Sequence, residues 1–303
     1  MLTDRPNAKG LQLFYAAVPL LISFIMSIVS FFAAVFIRGF YYHTNLAEEK
    51  AADDGIVYLI NYGLQIIIFG FWYLTMLQRD AREAAGSRSE TSSKASRNRS
   101  EKKDSPTDKK SETASAREWH PISYWAKRLP LLIVLGYALQ LAVSGIISVL
   151  SSALPSLFSA YKELVQSLAG ESVDWLTFAA VSFLAPIGEE LLFRGVTYRF
   201  AKKALPVRWA ILFQAALFGI YHLNLVQFFY AVAVGYLLGM LAEQAGSVIP
   251  GIVLHIIINL SAYLVPAVFL DNIPKAAFTA VLSIVIAIPC CILLLKKPAG
   301  TRK

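Results

Sequence analysis

Residues 175–194 read WLTFAAVSFLAPIGEELLFR, an apolar run that ends in two glutamates and an arginine. A helix needs roughly 20 mostly apolar residues to cross a bilayer, so this stretch predicts a membrane-spanning helix. Ionisable side chains are costly at that depth and normally face the interior of a helix bundle or a water-filled cavity. Glu189, Glu190 and Arg194 are therefore predicted to belong to a buried functional site.

The composition of the whole chain agrees with a membrane protein. Of its 303 residues, 56% are hydrophobic and 16% are charged, and the mean hydropathy is +0.55. An ordinary soluble core cannot bury so large an apolar fraction. The expected fold is therefore all-α and polytopic, with about eight transmembrane helices. The eight apolar segments are residues 11–37, 56–77, 129–154, 175–194, 209–225, 226–242, 248–270 and 276–295.

A long polar segment divides the chain into three parts. Residues 1–78 are predicted to form an N-terminal transmembrane hairpin, and residues 121–303 a six-helix bundle that carries the site. Between them, residues 79–120 are rich in Ser, Lys, Arg, Glu, Asp and Thr and cannot bury enough apolar surface to fold. This segment is predicted to be a disordered cytoplasmic linker, although its run 96–110 could also bind anionic lipid.

The distribution of charge predicts the orientation in the membrane. The net charge is +8, and basic residues concentrate in the polar segment, just before residue 129, after Arg194 and in the C-terminal tail. If eight helices alternate, these regions share one side, which the positive-inside rule makes cytoplasmic. Both termini are then cytoplasmic, in a multi-pass protein expected in a bacterial plasma membrane. The charge indicates contact with the lipid bilayer and not with nucleic acid, and the oligomeric state stays open.

Two further apolar segments each carry one histidine, His222 and His255. With Glu189, Glu190 and Arg194 they are the ionisable side chains of the eight segments, tyrosines and cysteines apart. A single histidine on an apolar helix is more often a hydrogen-bonded core residue than a ligand. Two histidines together with a carboxylate pair instead indicate a common site.

The helical spacing of these groups suggests separate roles. Glu190 and Arg194 are four residues apart and share a face, which predicts a structural ion pair. Glu189 is rotated by about 100° from Glu190 and is free to act as a base. His255 and Asn259 also project from one face and offer two hydrogen-bond donors.

These residue types suit hydrolysis of a peptide bond by water. A deprotonated Glu189 near an imidazole can take a proton from water and return it to the leaving amine. Donors such as His255 and Asn259 can stabilise the tetrahedral oxyanion. Glu189, His222 and His255 could instead hold zinc with one position open. Spacing alone does not separate these mechanisms, so zinc stays an open cofactor.

The set of motifs resembles the CAAX protease and bacteriocin-processing (CPBP) family of intramembrane endopeptidases, which includes the type II CAAX prenyl proteases. The resemblance covers roughly residues 175–264. Its motifs in chain order are Glu189-Glu190-x-x-x-Arg194, Phe218-x-x-x-His222 and His255-x-x-x-Asn259. Each motif is weak alone, but the three in order inside apolar helices are specific.

The resemblance implies an active site inside the membrane, open toward the cytoplasm, and a membrane-associated protein or peptide as substrate. It implies that Glu189 and His222 activate water. His255 and Asn259 would form the oxyanion site, with the Glu190–Arg194 pair in support. Phe218 would pack against the His222 ring or wall the cavity, although plain core packing explains it equally well. The family is classed among metalloproteases, which keeps zinc open.

Other functions fit part of the pattern. A proton-coupled transporter would also place glutamate and histidine inside a bundle, but it would more often show an inverted repeat. A bis-histidine haem protein could use His222 and His255 but leaves Glu189 and Glu190 unexplained. A non-catalytic immunity or scaffold protein on the same fold would not need every catalytic group.

Overall fold

The computed structural model describes residues 6–41, 50–101, 122–169 and 173–296, and within these ranges every regular element is a helix. The all-α polytopic fold class is therefore confirmed. The helices are α1 (Pro6–Tyr41), α2 (Lys50–Glu101), α3 (Ile122–Ala126), α4 (Leu129–Ala153), α5 (Pro155–Ala169), α6 (Trp175–Ala179), α7 (Ala185–Glu190), α8 (Tyr198–Ala204), α9 (Val207–Tyr221), α10 (Leu225–Ala245), α11 (Ile249–Ala262) and α12 (Ile273–Leu295). Two π-helical segments, Ala180–Leu184 and Leu191–Thr197, join α6 to α7 and α7 to α8. A short 3-10 helix, Ala267–Phe269, precedes α12.

Six stretches of the described chain are long and apolar enough to cross a membrane. They are Lys9–Ile37, Gly55–Ser87, Leu129–Ala153, Trp175–Ala204, Leu225–Ala245 and Ile273–Leu295. The other two predicted spans are helical but short, because α9 has 15 residues and α11 has 14. At 1.5 Å per residue they extend about 22 and 21 Å, less than the roughly 30 Å hydrocarbon core.

The short helices end where the backbone leaves the helical region. Leu223 has a positive φ of 51°, and Asn224 then caps α10 by accepting hydrogen bonds from the backbone N–H groups of Val226 and Gln227. After α11, Pro266 disfavours helical geometry at the residue before it. The predicted ranges 209–225 and 248–270 were thus too long at their C-terminal ends, since apolar composition does not register these stops.

Ion pairs at one end of the bundle fix the direction of neighbouring helices. Lys202 Nζ lies 2.7 Å from Glu243 Oε2, which joins the end of α8 to the end of α10. Arg199 Nη1 lies 2.6 Å from Asp80 Oδ2 of α2. We call this region, defined by these four residues, the basic end. Helix α9 leads away from the basic end, and α10 runs back toward it. Helix α9 therefore runs antiparallel to α10 as a crossing segment, although it is short.

The N-terminal hairpin packs against the segment that carries the glutamates. Helix α2 contacts α6, α7 and both π segments, and α1 contacts α8. On α7, a Cβ added to Gly188 would lie 3.2 Å from Gln65 Cβ, so the two backbones approach closely there. The hairpin therefore forms one wall of the region around Glu189.

Helix α2 is longer than the sequence predicts, because it continues to Glu101. Residues 79–101, taken from composition as the start of a disordered linker, are helical. Composition excludes a buried core there, but it does not exclude one helix that continues from an already formed span, since elongation of a helix is far easier than nucleation. Residues 102–120 of the predicted linker lie outside the described residues.

Candidate active site

The span Trp175–Ala204 carries both glutamates at the end of α7, between the two π segments. Asp174 caps the start of this span by accepting hydrogen bonds from the backbone N–H groups of Leu176 and Thr177. Burial alone would raise the pKa of Asp174, but the hydrogen bonds from Thr177 and Leu176 outweigh it and hold the pKa below its ordinary value. The start of the span is thus fixed by a charged cap.

The first π segment frees one backbone carbonyl for the site. Ala185 N–H donates to Ala180 O, five residues back. The next donor in that register would be residue 186, which is proline and has no N–H. Val181 O instead accepts a hydrogen bond from Asn259 Nδ2, at 2.9 Å. Single π turns inside α-helices are frequent at functional sites, and here one couples α11 to the glutamate-bearing span.

Glu190 and Arg194 form the ion pair that their spacing predicts. Arg194 Nη1 donates to Glu190 Oε1 at 2.7 Å, and both side chains are fully buried. Arg194 Nη2 donates to Gly235 O at 3.0 Å, and Gln214 Nε2 donates to the same carbonyl at 2.9 Å. The guanidinium is thus held between α7 and α10.

Two glycines of α10 allow this helix to pack closely against α9. A Cβ on Gly235 would lie 2.9 Å from Phe218 Cδ1, and one on Gly239 would lie 2.5 Å from Gln214 Nε2. Gly235 and Gly239, four residues apart, therefore let the two helices pack closely.

His255 lies between the two carboxylates. Its Nδ1 is 3.1 Å from Glu190 Oε1, and its Nε2 is 3.7 Å from Glu189 Oε2. An ionised Glu190 can only accept, so the Nδ1–H of His255 donates to it and Nε2 faces Glu189. Gly251, one turn before His255, leaves room for this arrangement, because a Cβ there would lie 2.8 Å from Glu190 Oε2.

His222 is held by its own helix at the end of α9. Its Nδ1 donates to Phe218 O at 2.8 Å, which leaves Nε2 as an acceptor. The Phe218 ring packs against both imidazoles, with centroid distances of 4.8 Å to His222 and 5.8 Å to His255. The Arg194 guanidinium lies 4.6 Å from the same ring. Phe218 thus separates the two histidines and contacts three of the predicted site residues.

The contacts of the predicted residues add detail that their spacing does not give. The imidazole near the Glu189 carboxylate belongs to His255, and among the described contacts no hydrogen bond or ion pair joins Glu189 to His222. Asn259, predicted as an oxyanion donor, gives one amide hydrogen to Val181 O. Periodicity places side chains on a helix face but does not fix which neighbouring helix they meet.

The tautomers of His222 and His255 suit zinc binding, but the spacing of the candidate ligand side chains does not. His222 and His255 both donate from Nδ1 to an oxygen, the arrangement usual for metal-bound histidines. However, no three His, Cys, Asp or Glu side chains in the described part of the chain form a group that could hold a metal ion. The candidate set Glu189, His222 and His255 is therefore not assembled as ligands.

A cluster of neutral polar groups next to Glu189 was missed by sequence reasoning. Gln65 Nε2 of α2 donates to the Tyr221 hydroxyl at 3.1 Å. Tyr62, also of α2, borders α7 beside Glu189, because a Cβ added to Gly188 would lie 3.8 Å from Tyr62 Cδ1. The available signal was Gln65, a polar side chain inside an apolar span, but a search restricted to ionisable groups does not detect an amide.

Comparison with known proteins gives one family. Residues 171–261 match the model of the family described as "Type II CAAX prenyl endopeptidase Rce1-like". The match confirms the resemblance found from the three motifs and covers under a third of the chain. At the level of the family, this segment is similar to that of a CAAX-type membrane protease. No curated protein and no solved structure matches.

Proposed function

We propose that this chain is an intramembrane endopeptidase that hydrolyses a peptide bond of a membrane-associated protein or peptide. The observation that carries the proposal is the buried row of Glu190, His255 and Glu189, in which one imidazole faces two carboxylates at 3.1 and 3.7 Å. The family match over residues 171–261 supports the same class of reaction.

The charges of this row indicate where its protons lie. Arg194 compensates Glu190, so an ionised Glu189 beside a neutral His255 would be an uncompensated buried charge. Such a charge is costly in a medium of low dielectric constant. One additional proton, held between His255 Nε2 and Glu189, makes the four groups neutral as a set.

That proton supplies both an acid and a base. When it lies on His255, Glu189 is a free carboxylate and takes a proton from water as the water oxygen bonds to the substrate's carbonyl carbon. The carbonyl oxygen becomes an oxyanion, which accepts a hydrogen bond from His255 Nε2–H. The carbonyl then re-forms, the C–N bond breaks, and Glu189 passes its proton to the leaving amine.

Two further groups complete the proposed site. His222 Nε2 has a free lone pair, because its Nδ1–H is engaged by Phe218 O, and it accepts a hydrogen bond from the attacking water and orients it. Asn259 keeps a second amide hydrogen beside the one given to Val181 O, and this hydrogen joins His255 in stabilising the oxyanion.

Both termini are proposed to be cytoplasmic, in a bacterial plasma membrane.

The test is comparative membrane proteomics of cells that carry the native chain or Glu189→Gln. We expect uncut precursors of one or a few membrane-associated proteins to accumulate in the variant. Glu163→Gln, at an exposed position of α5, is the matched control and should give the native pattern. An unchanged precursor pattern, with proton flux into liposomes lost in Glu189→Gln, would instead identify a transporter.

Chelation separates the two hydrolytic mechanisms once a substrate is known. Because no zinc ligand group is assembled, we expect cleavage by the purified protein to survive a strong chelator. Reversible loss of cleavage, restored by zinc, would show that the metal-free steps are wrong while leaving the protease assignment intact.

A further inference from the structure

A cavity of about 430 Å³ lies at the basic end, apart from the row of Glu190, His255 and Glu189. It is bounded by α2, α8, the end of α10 and the start of α11. Polar residues that line it include Asp80, Arg199, Lys202, Lys203, Glu243 and Ser247. Two spans, Trp175–Ala204 and Leu225–Ala245, end beside the cavity. Helix α2 changes there from apolar to charged sequence after Leu77, so the cavity is expected at the interfacial zone of a bilayer.

The lining of the cavity carries more positive than negative charge. Asp80 pairs with Arg199, and Glu243 pairs with Lys202. Lys203 also lines the cavity, and no carboxylate of the described chain pairs with it; its Nζ lies 5.4 Å from the centre of the Phe200 ring. Arg194 pairs with Glu190, so Lys203 is the one cation of the lining that has no carboxylate partner in the described chain.

Buried donors point to an anion. Arg194 reaches the cavity with only 1% of its surface exposed. Its two terminal nitrogens bond Glu190 and Gly235, but its Nε–H is buried without a partner. A buried N–H without a partner is destabilising, and an oxygen of an anion in the cavity would satisfy it.

The start of α11 adds a second source of positive potential. Residues 246–248, which precede α11, line the cavity. Ser247 Oγ accepts from the Ile249 N–H at 3.2 Å, but Val248 at the N-cap makes no side-chain cap. A helix N-terminus carries about half a positive charge and attracts phosphate groups.

We propose that this cavity binds the phosphate-bearing headgroup of an anionic lipid. Basic pockets between membrane helices suit such headgroups. The rings of Tyr73 and Tyr198 line the same cavity, and tyrosines are typical of the membrane interface. Met76 and Val248 add apolar lining on which the upper part of an acyl chain can lie. Arg194 would then contact the lipid through Nε and Glu190 through Nη1, which links the headgroup to the buried row.

The experiment measures thermal unfolding of the purified full chain in nanodiscs. One series contains only phosphatidylcholine, a second contains added phosphatidylglycerol, and a third contains phosphatidylcholine with inorganic phosphate in solution. Lys203→Gln removes an unpaired cation of the cavity. Lys127→Gln makes the same change at an exposed position before α4, outside the lining, and serves as the matched control.

We expect phosphatidylglycerol to raise the unfolding temperature and inorganic phosphate to have no effect. Lys203→Gln should weaken the apparent affinity for phosphatidylglycerol about fivefold, the effect of one charge near a membrane surface, while Lys127→Gln leaves it unchanged. Equal stabilisation by inorganic phosphate would overturn the assignment to a lipid. Equal loss in both variants would overturn the cavity as the site. Neither result depends on cleavage activity, so the proposed protease function is tested separately.

Discussion

Glu189 and Glu190 are chemically identical neighbours with different surroundings. Glu190 is bonded to Arg194 and to His255 Nδ1, whereas Glu189 faces only the Nε2 side of the imidazole. The i,i+4 spacing in the sequence predicted this division correctly for Glu190. The partner of Glu189 could not be predicted, because it depends on how α11 packs against α7.

Substitution of the two glutamates should separate catalysis from stability. Glu189→Gln keeps the shape but removes the base, so cleavage should fall by about 10²–10⁴-fold with little change in unfolding temperature. Glu190→Gln leaves Arg194 without its anion and should also destabilise the fold, by about 3–5 kcal/mol for a broken buried pair. Turnover of an identified substrate and thermal unfolding measure the two effects. Near-native turnover by Glu189→Gln would show that its proposed role is wrong.

Asn259 and Pro186 should be energetically coupled through Val181 O. Asn259→Ala removes the donor to that half-buried carbonyl, which should cost about 0.5–1.5 kcal/mol. Pro186→Ala restores a backbone N–H at the position that can reach the carbonyl in the π register. In the Pro186→Ala background the cost of Asn259→Ala should therefore shrink, which a double-mutant cycle on unfolding free energies measures. Additive effects would mean that the amide is not the substitute for the missing N–H.

At the scale of the elements, the contact of α9 with α10 depends on the absence of a side chain at Gly239. A Cβ on Gly239 meets Gln214 Nε2 at 2.5 Å, whereas one on Gly63 in α2 meets nothing within 4 Å. Gly239→Ala should displace Gln214 and destabilise the protein by about 1–3 kcal/mol. Gly63→Ala makes the same change in a span with open space and should be neutral or slightly stabilising. Thermal unfolding of both variants tests this, and equal effects would contradict tight packing at Gly239.

The positions of the apolar helices could be read from the sequence, but their internal irregularities could not. A hydropathy window detects a span whether its hydrogen bonds follow the α or the π register, so both π segments escape it. The same window merged α9 with the turn at Leu223, where a single positive φ ends the helix. Such features follow from local backbone geometry and from contacts with other helices.

For the whole molecule, the orientation in the membrane stays a prediction from the positive-inside rule. Ser89 on α2 and Ser159 on α5 are both exposed, and in the described part of the chain α4 is the one candidate span between them. Cysteines at these positions, with Cys290 and Cys291 replaced by serine, should label from opposite sides with an impermeant thiol reagent, Ser89→Cys from the cytoplasm. Labelling from the same side would contradict the alternation of spans. The result also bears on the face of the membrane to which the site opens. His222 lies at the C-terminal end of α9, which is the end far from the basic end.

The shortness of α9 and α11 has a consequence for the surrounding lipid. Each of these two helices is about 8 Å shorter than the hydrocarbon core, which creates a hydrophobic mismatch wherever it faces lipid. A bilayer responds to such mismatch by thinning locally, at a cost that rises with its resting thickness. A thin annulus beside α9 and α11 would draw headgroups and their hydration water inward toward the turns that follow these helices. Catalytic rate should then depend on acyl-chain length and be higher in short-chain lipids than in long-chain ones.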